Sequence, residues 1–278
     1  MTRESGLLLV ALAVLVLLGA LFLVKKGYLF GPQPDRRISV ATPDGKAVEL
    51  QAWFADTQGQ PAPALLLFHG GTWQYGNPDQ FRPQCEWFAA RGFHGFSASY
   101  RLGTPGAPEV RGASGDAQAA LAYLQDNAAA LCIDAARIAV GGGSAGGHLA
   151  ASLGTAIPVL PADRVRPAAM ILFNPMLNLS PGRPDHHLVE DSWLEVSPHQ
   201  AIDARTPSGL VLVGDRDGEV PVPTVELFCE AMAAAGATCE AAVYPGVGHG
   251  FFNYSPQGNP YFEQCNERVL AFLATTWQ

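Results

Sequence analysis

The sequence predicts an α/β domain with a mostly parallel central sheet and helices on both faces, preceded by an N-terminal transmembrane helix. Three observations predict it: short apolar runs alternate with helical stretches, no composition shift marks a second folded domain, and one long apolar run opens the chain. Strands that alternate with helices require crossover connections, which cover both faces of a parallel sheet. The 278 residues therefore suit one large domain behind an anchor.

Residues 1–26 are predicted to form an uncleaved transmembrane anchor. The stretch LLLVALAVLVLLGALFLV, residues 7–24, contains 18 residues without a charge, and as a helix it would span about 27 Å, close to the hydrocarbon thickness of a bilayer. A cleaved signal peptide needs small residues at positions −3 and −1, but Leu17 or Leu18 would occupy position −3 here. Residues 27–35 are predicted to be a short stiff linker, and residues 36–278 the folded domain.

The side of the membrane on which the domain lies stays open. Four basic residues follow the apolar run, Lys25, Lys26, Arg36 and Arg37, and the positive-inside rule then places the domain in the cytoplasm. An N-terminal span that resembles a signal anchor, in contrast, often precedes an exported domain. We favour export. The expected localisation is therefore an exported domain that a single N-terminal helix holds at the membrane.

The domain is predicted to begin with an antiparallel hairpin, since residues 36–54 alternate like a strand on both sides of a Pro-Asp-Gly turn. Six short apolar runs then predict buried strands at residues 64–70, 92–100, 137–143, 168–175, 209–215 and 239–246. Helices are predicted at about residues 81–91, 113–130, 145–156, 223–236 and 260–276. Prolines interrupt residues 178–205, which we expect to form a surface excursion near the strand ends.

Charge and cysteine usage exclude several classes of function. The net charge of −8 comes without a clustered Lys/Arg stripe, which argues against nucleic acid as a partner. The five cysteines show no C-x-x-C spacing, so neither a zinc site nor a disulfide scaffold is indicated. A bridge between Cys229 and Cys239 is possible if the domain is exported, and buried free thiols are the alternative.

Ser144 is the candidate nucleophile, because residues 142–146, GGSAG, fit the pattern G-x-S-x-G. This pattern alone is a weak signal at the glycine content of the chain. A predicted strand ends just before it and an alanine-rich helix follows at once, which is the setting that the motif requires. A phosphate-binding loop is disfavoured, because G-x-x-x-x-G-K-[ST] is absent and no lysine follows the loop. The sequence therefore predicts a nucleophilic serine and no bound cofactor.

His249 and Asp217 are the candidate partners of Ser144. His249 lies in a glycine-flanked loop after the last predicted strand, and it follows Ser144 in chain order. The segment LVLVGDRDGEVPV, residues 210–222, offers three carboxylates after the preceding strand, and we choose Asp217. Asp215 ends the strand directly and suits capping of the turn, whereas Glu219 is the third alternative.

Backbone N–H groups of Gly71, Thr72 and Ala145 form the predicted oxyanion hole. The glycine-rich turn FHGGTWQYGNP, residues 68–78, follows the third predicted strand, where the loop that supplies such donors should lie. Ala145 begins the helix after the nucleophile, so the positive end of the helix dipole adds to its N–H. Gly70 lets the chain turn, and Trp73 is expected to pack under the loop rather than to bind substrate.

Other polar residues carry weaker signals. Residues 185–187, Asp-His-His, and His199 have side chains that bind metals but show no partner pattern, so we expect solvated loop residues and no metal site. Asp116 is expected to be a helix-start or surface carboxylate. Asn174 follows a predicted strand and is expected either to line the pocket or to cap the backbone.

Five motifs together resemble the α/β-hydrolase fold, and specifically the hormone-sensitive-lipase-like and acetyl-xylan-esterase-like carboxylesterases. They are HGGTW, YRL, GGSAGGHLAA, GDRDGEVP and GHGFF. The resemblance runs from about residue 37 to the C-terminus. In that family the pattern G-x-x-D-x-x-V-P carries the triad acid, which falls on Asp217 here. The usual H-G-G-G-W or H-G-G-A-W has Thr72 in this chain, which keeps the N–H and adds a β-branched side chain.

We therefore expect a serine esterase that cleaves short-acyl esters through an acyl-serine intermediate. Only a short irregular segment is present and no long apolar cap for a fatty chain, so acetyl groups fit best. The resemblance implies acetyl esters of carbohydrates. The expected partners are a small-molecule or carbohydrate ester and, through the N-terminal helix, the membrane. The alternatives are a membrane-associated lipase or general carboxylesterase, and a non-catalytic binding module of the same fold.

Overall fold

A computed structural model describes residues 33–155, 157, 165–183 and 185–278. The predicted anchor, residues 1–26, and residues 27–32 of the predicted linker lie outside these described residues, so both stay predictions. Within the described part of the chain, no helix has the length and apolar character needed to cross a membrane. All the helices and strands given below belong to one unit, Arg36–Gln278.

The described chain contains one sheet of eight strands in the order β1-β2-β4-β3-β5-β6-β7-β8. The strands are β1 (Arg36–Ala41), β2 (Ala47–Trp53), β3 (Ala62–Phe68), β4 (His94–Ala98), β5 (Ile133–Gly143), β6 (Ala169–Phe173), β7 (Gly209–Gly214) and β8 (Cys239–Tyr244). Strands β1 and β2 pair antiparallel, as do β2 and β4, and all the other pairs are parallel. The predicted hairpin and the mostly parallel sheet are confirmed.

Helices cover both faces of this sheet, as predicted. They are α1 (Arg82–Ala89), α2 (Val110–Asp126), α3 (Ala145–Thr155), α4 (Trp193–Val196), α5 (Val222–Ala234) and α6 (Pro260–Thr276). Alternate residues of a strand point to opposite faces, and in β3 the side chains of Leu66 and Phe68 belong to a buried cluster that also contains residues of α2, α3 and α5. The side chains of Leu65 and Leu67 pack instead with α1 and α6. The sheet is therefore buried on both sides, which explains its uninterrupted apolar runs.

The segment expected to be irregular contains only short elements. Three 3-10 turns, at His186–Leu188, Glu190–Ser192 and Pro198–Ala201, surround the single turn of α4. The ring of His148 in α3 contacts the carbonyl oxygen of Val196 in this segment through Nε2 at 2.5 Å, and Arg166 Nη1, before β6, lies 2.5 Å from Asp203 Oδ1 of the segment. Within the segment, Ser197 Oγ accepts the Leu179 N–H at 2.9 Å. The segment is thus held next to the helix that follows Ser144.

One disulfide is present in the domain. The sulfur atoms of Cys229 in α5 and Cys239 at the start of β8 are bonded, and their Cα atoms lie 5.0 Å apart. Cys85, Cys132 and Cys265 are free thiols, and the first and last of them are buried. Of the two alternatives that the sequence left open for Cys229 and Cys239, the structure shows the bridge.

A buried ion pair joins α2 to the loop that follows β4. Arg101 Nη2 lies 2.5 Å from Asp116 Oδ1, and the backbone N–H of Arg101 donates to Asp116 Oδ2 at 2.7 Å. Arg101 also pairs with Asp44, in the turn between β1 and β2, at 2.6 Å. The expectation that Asp116 is a helix-start or surface carboxylate is wrong, because its side chain is only 2% exposed and Arg101 supplies the compensating charge.

We expect the substitution Asp116→Asn to lower the free energy of unfolding by about 3 kcal/mol, because it leaves the Arg101 guanidinium without its buried partner. The matched control is Glu240→Gln, which removes the partner of Arg268 from a pair that is about 40% exposed on both sides and should change the free energy by less than about 1 kcal/mol. Denaturant unfolding of both variants measures the difference. Equal effects would show that the Arg101 pair contributes no more than a surface pair.

Candidate active site

Ser144 occupies a turn of a single residue between the end of β5 and the start of α3. Its φ of 55° lies in the left-handed region, which is strained for a residue with a side chain. The Ser144 N–H donates to the Phe173 carbonyl at 2.9 Å, and the Ser144 carbonyl accepts the His148 N–H at 3.0 Å. These two bonds hold the strained turn between β6 and α3, so the position of Oγ is fixed by the main chain.

Glycines on both sides of Ser144 allow the surrounding main chain to approach closely. A Cβ atom at Gly142 would lie 2.5 Å from the carbonyl oxygens of Phe68 and Gly146. A Cβ atom at Gly146 would collide with the main chain of Phe68 and His69. The motif therefore places α3 directly against the end of β3, and the loop that follows β3 passes beside Ser144.

His249 and Asp217 are hydrogen-bonded to each other. His249 Nδ1 lies 2.9 Å from Asp217 Oδ2 and 3.1 Å from Oδ1. Asp217 Oδ1 also accepts the N–H groups of Glu219 and Val220, each at 2.9 Å, which fixes the carboxylate in its turn. Asp215 instead accepts the Gly246 N–H at 2.7 Å. The structure thus pairs Asp217 with His249 and uses Asp215 to cap a turn.

Hydrogen bonds and charges outweigh burial in setting the pKa values of this pair. Burial favours the neutral acid of Asp217, but the hydrogen bonds from His249 and from the Val220 N–H leave the pKa of this carboxyl below its usual range. Burial likewise opposes a charge on His249, yet the hydrogen bond to Asp217 and the charges of Asp217, Glu219 and Asp185 raise its pKa. The carboxylate is therefore ionised at neutral pH and stabilises an imidazolium.

The other ring nitrogen of His249 faces two polar side chains. Nε2 lies 3.3 Å from Asn174 Nδ2 and 3.4 Å from Glu219 Oε2. Among the described residues, no hydrogen bond joins Nε2 to Ser144 Oγ, although both residues line the same cleft. Sequence reasoning offered Glu219 only as an alternative triad acid, and the structure places it against Nε2 instead. Asn174 fulfils both of its expected roles, since it lines the cleft and its Oδ1 accepts the Gly250 N–H.

The loop after β3 brings two of the predicted oxyanion donors to the cleft. Gly71 and Thr72 both line it and have positive φ values of 119° and 51°. Within the described chain, neither N–H donates to a protein acceptor. Ala145 is the first residue of α3, and the first N–H groups of a helix have no intrahelical partner. Trp73 is fully buried with its ring edge-on to that of His148, so it packs under the loop as predicted.

Gln80 connects the two loops that form the cleft, a role that sequence reasoning missed. Its Oε1 accepts the Gly70 N–H at 2.7 Å, and its Nε2 donates to Asn253 Oδ1 at 2.9 Å. Asn253 in turn donates to the Gly250 carbonyl at 2.8 Å, beside His249. Gln80 lies in a short 3-10 turn, Pro78–Phe81, and a glutamine in such a turn belongs to no motif, so no sequence signal could have found this bridge.

The cleft has a volume of about 580 Å³, with Ser144 and His249 among its lining residues. Its polar wall consists of Asn77, Asp79, Gln80, Asn174, Glu219 and Asn253, and in the part of the chain that the structure describes neither Lys nor Arg lines it. Tyr75 also lines the cleft and is 55% exposed. The lining therefore combines amide and carboxylate groups with one accessible aromatic ring.

In the residues that the structure describes, no group of three His, Cys, Asp or Glu side chains could hold a metal ion. This holds also for Asp185, His186 and His199. His186 Nδ1 contacts the Leu179 carbonyl at 2.9 Å. Asp185 differs from the expected solvated residue, because it is partly buried and its charge acts on His249. Burial and the nearby Glu219 charge raise the pKa of Asp185.

Comparison with known proteins shows similarity to esterases. The family model BD-FAE matches residues 50–159. Ethyl acetate hydrolase of Pseudomonas putida is 29% identical over 77% of this chain and 74% of its own length. Acetylxylan esterase of Xylanibacter ruminicola is 27% identical over 66% of this chain, which spans only 39% of that larger enzyme.

Solved structures of a thermophilic esterase, Est2 of Thermogutta terrifontis, are similar along most of the chain. The native enzyme is 34% identical, with a TM-score of 0.78 over 86% of this chain and 91% of its own. Its propionate-bound form is 35% identical, with a TM-score of 0.77 over 86% of this chain and 93% of its own. The same esterase phosphorylated by paraoxon is 34% identical, with a TM-score of 0.77 over 88% of this chain and 96% of its own.

We expect Gln80→Leu to lower kcat for ester hydrolysis by about 10- to 100-fold, because the loop with the Gly71 and Thr72 N–H groups loses its link to the His249 loop. KM should change less than kcat, since the reacting groups themselves remain. The control is Gln200→Leu, at an exposed position. Steady-state kinetics with p-nitrophenyl acetate measures both variants, and a Gln80→Leu enzyme as fast as the control would show that the bridge does not position the loop.

Proposed function

Because the chain belongs to the α/β-hydrolase carboxylesterases, we propose that it hydrolyses short-acyl esters through an acyl-serine intermediate. The observation that carries this proposal is the meeting of Ser144, in its strained turn, with the Asp217–His249 pair at one cleft. Parallel strands bring their carboxyl ends to the same edge of the sheet, which is how residues far apart in sequence meet. Phosphorylation of the Thermogutta esterase by paraoxon supports a nucleophile of this kind in the family.

In the proposed mechanism, Ser144 Oγ attacks the ester carbonyl carbon while His249 Nε2 takes the hydroxyl proton. Asp217 holds the imidazole by Nδ1 and stabilises the imidazolium that forms. The N–H groups of Gly71, Thr72 and Ala145 receive the developing oxyanion, each contributing about 3 kcal/mol. The C–O bond to the alcohol then breaks as Nε2 returns the proton to the leaving oxygen. Water, deprotonated by the same nitrogen, releases the acid and restores Ser144.

The space beside Ser144 favours a short acyl group. A Cβ atom at Gly143 would lie 2.6 Å from Phe252 Cζ, so the Phe252 ring closes the cleft next to the nucleophile. That ring stacks on Phe173 at 4.6 Å and on Phe81 at 5.7 Å between ring centroids, and all three side chains are buried. A tightly packed wall of this kind does not open for a fatty chain without losing its packing. The propionate-bound relative and the ethyl acetate hydrolase agree with a short acyl group.

For the alcohol side of the ester, we propose a hydroxyl-rich group such as a carbohydrate. Asn77, Asp79 and Asn253 provide donors and acceptors at the cleft wall. The exposed Tyr75 ring offers a flat apolar surface with a polar tip. The similarity to acetylxylan esterase supports acetyl esters of carbohydrates as the substrate class.

The second candidate function, a lipase or general carboxylesterase acting at a membrane, would use the same serine chemistry on longer chains. Only the apolar run of residues 7–24 favours it. A non-catalytic binding module of the same fold is the third candidate, and it would keep the cleft without hydrolysis. The three candidates therefore differ in which esters, if any, are cleaved and in whether cleavage depends on Ser144.

We also propose that the domain is exported and held at the membrane by the predicted N-terminal helix. The bridge between Cys229 and Cys239 supports this location, because disulfides persist in oxidising compartments and are rare in the cytosol. The positive-inside count of the sequence, which favours the cytoplasm, is the opposing observation.

Ser144→Ala should reduce hydrolysis of p-nitrophenyl acetate by a thousandfold or more, on the order seen when a catalytic serine is removed. The wild-type chain should cleave the acetate at least about tenfold better than the octanoate, because the aromatic wall excludes the longer chain. Ser39→Ala, at an exposed position in β1, is the control and should behave as wild type. Steady-state rates with acetate, butyrate and octanoate esters measure these effects.

Three outcomes separate the candidate functions. Acetate hydrolysis that survives Ser144→Ala would overturn the acyl-serine mechanism. Preference for octanoate in a Ser144-dependent reaction would favour the lipase. If the wild-type chain neither hydrolyses an ester nor reacts with a fluorophosphonate probe, the binding module becomes the better interpretation.

For the location of the domain, alkaline phosphatase and green fluorescent protein are fused after Gln278 in separate chains. Export predicts phosphatase activity without fluorescence, because the phosphatase folds only where its disulfides form and the fluorescent protein folds in the cytoplasm. Fluorescence without phosphatase activity would place the domain in the cytoplasm and contradict the proposal.

A further inference from the structure

The two neighbours of His249 Nε2 have opposite hydrogen-bonding character. Asn174 Oδ1 accepts the Gly250 N–H at 3.1 Å, which fixes the orientation of the amide and directs Nδ2, a donor, toward Nε2. Glu219 Oε2, at 3.4 Å from the same nitrogen, can only accept when its carboxylate is ionised. One ring nitrogen therefore has a fixed donor on one side and an acceptor on the other.

Each neighbour fits a different protonation state of the ring. A hydrogen bond from Asn174 Nδ2 requires a lone pair on Nε2, and hence a neutral imidazole with its proton on Nδ1, toward Asp217. A bond to Glu219 requires a proton on Nε2, and because Nδ1 keeps its own proton toward the Asp217 carboxylate, the ring is then an imidazolium. The neutral ring is the form that can take the proton of Ser144, so these contacts bear on when the base is available.

We propose that Glu219 is a positioning residue that holds the imidazolium of His249 at Nε2, while Asn174 holds the neutral ring. The balance between these two contacts sets the pH at which His249 can act as the base for Ser144. This inference rests on the proposed function, in which His249 is the base. The Asp217 turn keeps Glu219 in place, because Asp217 Oδ1 accepts the Glu219 N–H. One short turn thus places one carboxylate at each nitrogen of the same ring.

The charged groups around the ring all favour the imidazolium. Asp217 lies at Nδ1, Glu219 lies at Nε2, and Asp185 acts on the ring from the irregular segment, with His187 acting on Asp185 in turn. No Lys or Arg among residues 33–155, 157, 165–183 and 185–278 lines the cleft. Asp217 and Asp185 are shielded from solvent more than Glu219, whose side chain is 55% exposed. Removal of Glu219 therefore removes one of three charges without opening the buried pair.

The direction of the effect follows from these charges. A carboxylate at Nε2 stabilises the imidazolium and raises the pKa of His249, so the base becomes protonated, and inactive, at a higher pH. Without that charge the neutral base persists to lower pH. The decline of kcat/KM on the acid side should then move to lower pH by about half a pH unit to one unit, as expected for a partly solvated charge at this distance.

The experiment measures kcat/KM for p-nitrophenyl acetate from pH 5 to pH 9 with the full-length chain. We expect Glu219→Gln to shift the acid-side decline to lower pH, and Asn174→Asp, which places an acceptor at Nε2, to shift it to higher pH. Glu240→Gln removes a carboxylate from the exposed pair with Arg268, remote from the cleft, and should leave the profile unchanged. An unchanged profile, or a shift to higher pH, for Glu219→Gln would overturn the proposal.

A second measurement separates this inference from the proposed function. The imidazole resonance of His249, identified among the seven histidines by its loss in His249→Gln, is titrated by NMR without any turnover. Glu219→Gln should lower its titration midpoint by the same amount as the kinetic shift. If Ser144→Ala leaves hydrolysis unchanged while Glu219→Gln lowers this midpoint, the proposed function fails and the role of Glu219 at Nε2 is supported. If hydrolysis requires Ser144 but the midpoint stays, this inference alone fails.

Discussion

At Ser144 the chain turns from a strand into a helix within one residue, in a conformation that costs about 1–3 kcal/mol. The surrounding main chain maintains it, through the bonds to Phe173 and His148 and through the close approach that Gly142 and Gly146 permit. Because β3 and α3 are in contact at these glycines, the loop after β3 passes beside Ser144. One packing constraint thus positions both the proposed nucleophile and the proposed oxyanion donors.

Two kinds of electrostatic support act in different parts of this cleft. Carboxylates of Asp217, Glu219 and Asp185 surround the ring of His249 and favour its positive form. Among the described residues, no cationic side chain lines the cleft around the expected oxyanion, and the backbone N–H dipoles of Gly71 and its neighbours are the donors available there. In the proposed acyl transfer, fixed groups of opposite sign would therefore match the two charges that form, and they would need little reorganisation.

Periodicity and turn residues were enough to predict the eight strands and five longer helices to within a few residues, because burial on both faces of the sheet leaves continuous apolar runs. Motif context likewise placed Ser144, Asp217 and His249 in loops that the structure brings together. The contact of Glu219 with Nε2 and the Gln80 bridge were not predictable, since each is one polar side chain whose meaning depends on a neighbour distant in sequence. The anchor of residues 1–26 remains a prediction from sequence alone.

The Gln80 bridge has a consequence for how this cleft can diversify. The stretch from Gly71 to Gln80 is held near one end by the Trp73 carbonyl, which accepts the Gly103 N–H at 2.9 Å, and at the other by the two bonds of Gln80. Tyr75, Asn77 and Asp79 lie between these fixed ends and face the cleft. Substitutions among them would change the wall of the cleft while the hydrogen bonds of the Trp73 carbonyl and Gln80 remain. In the proposed function, the side chains that would select the alcohol are thus separate from the groups that would react.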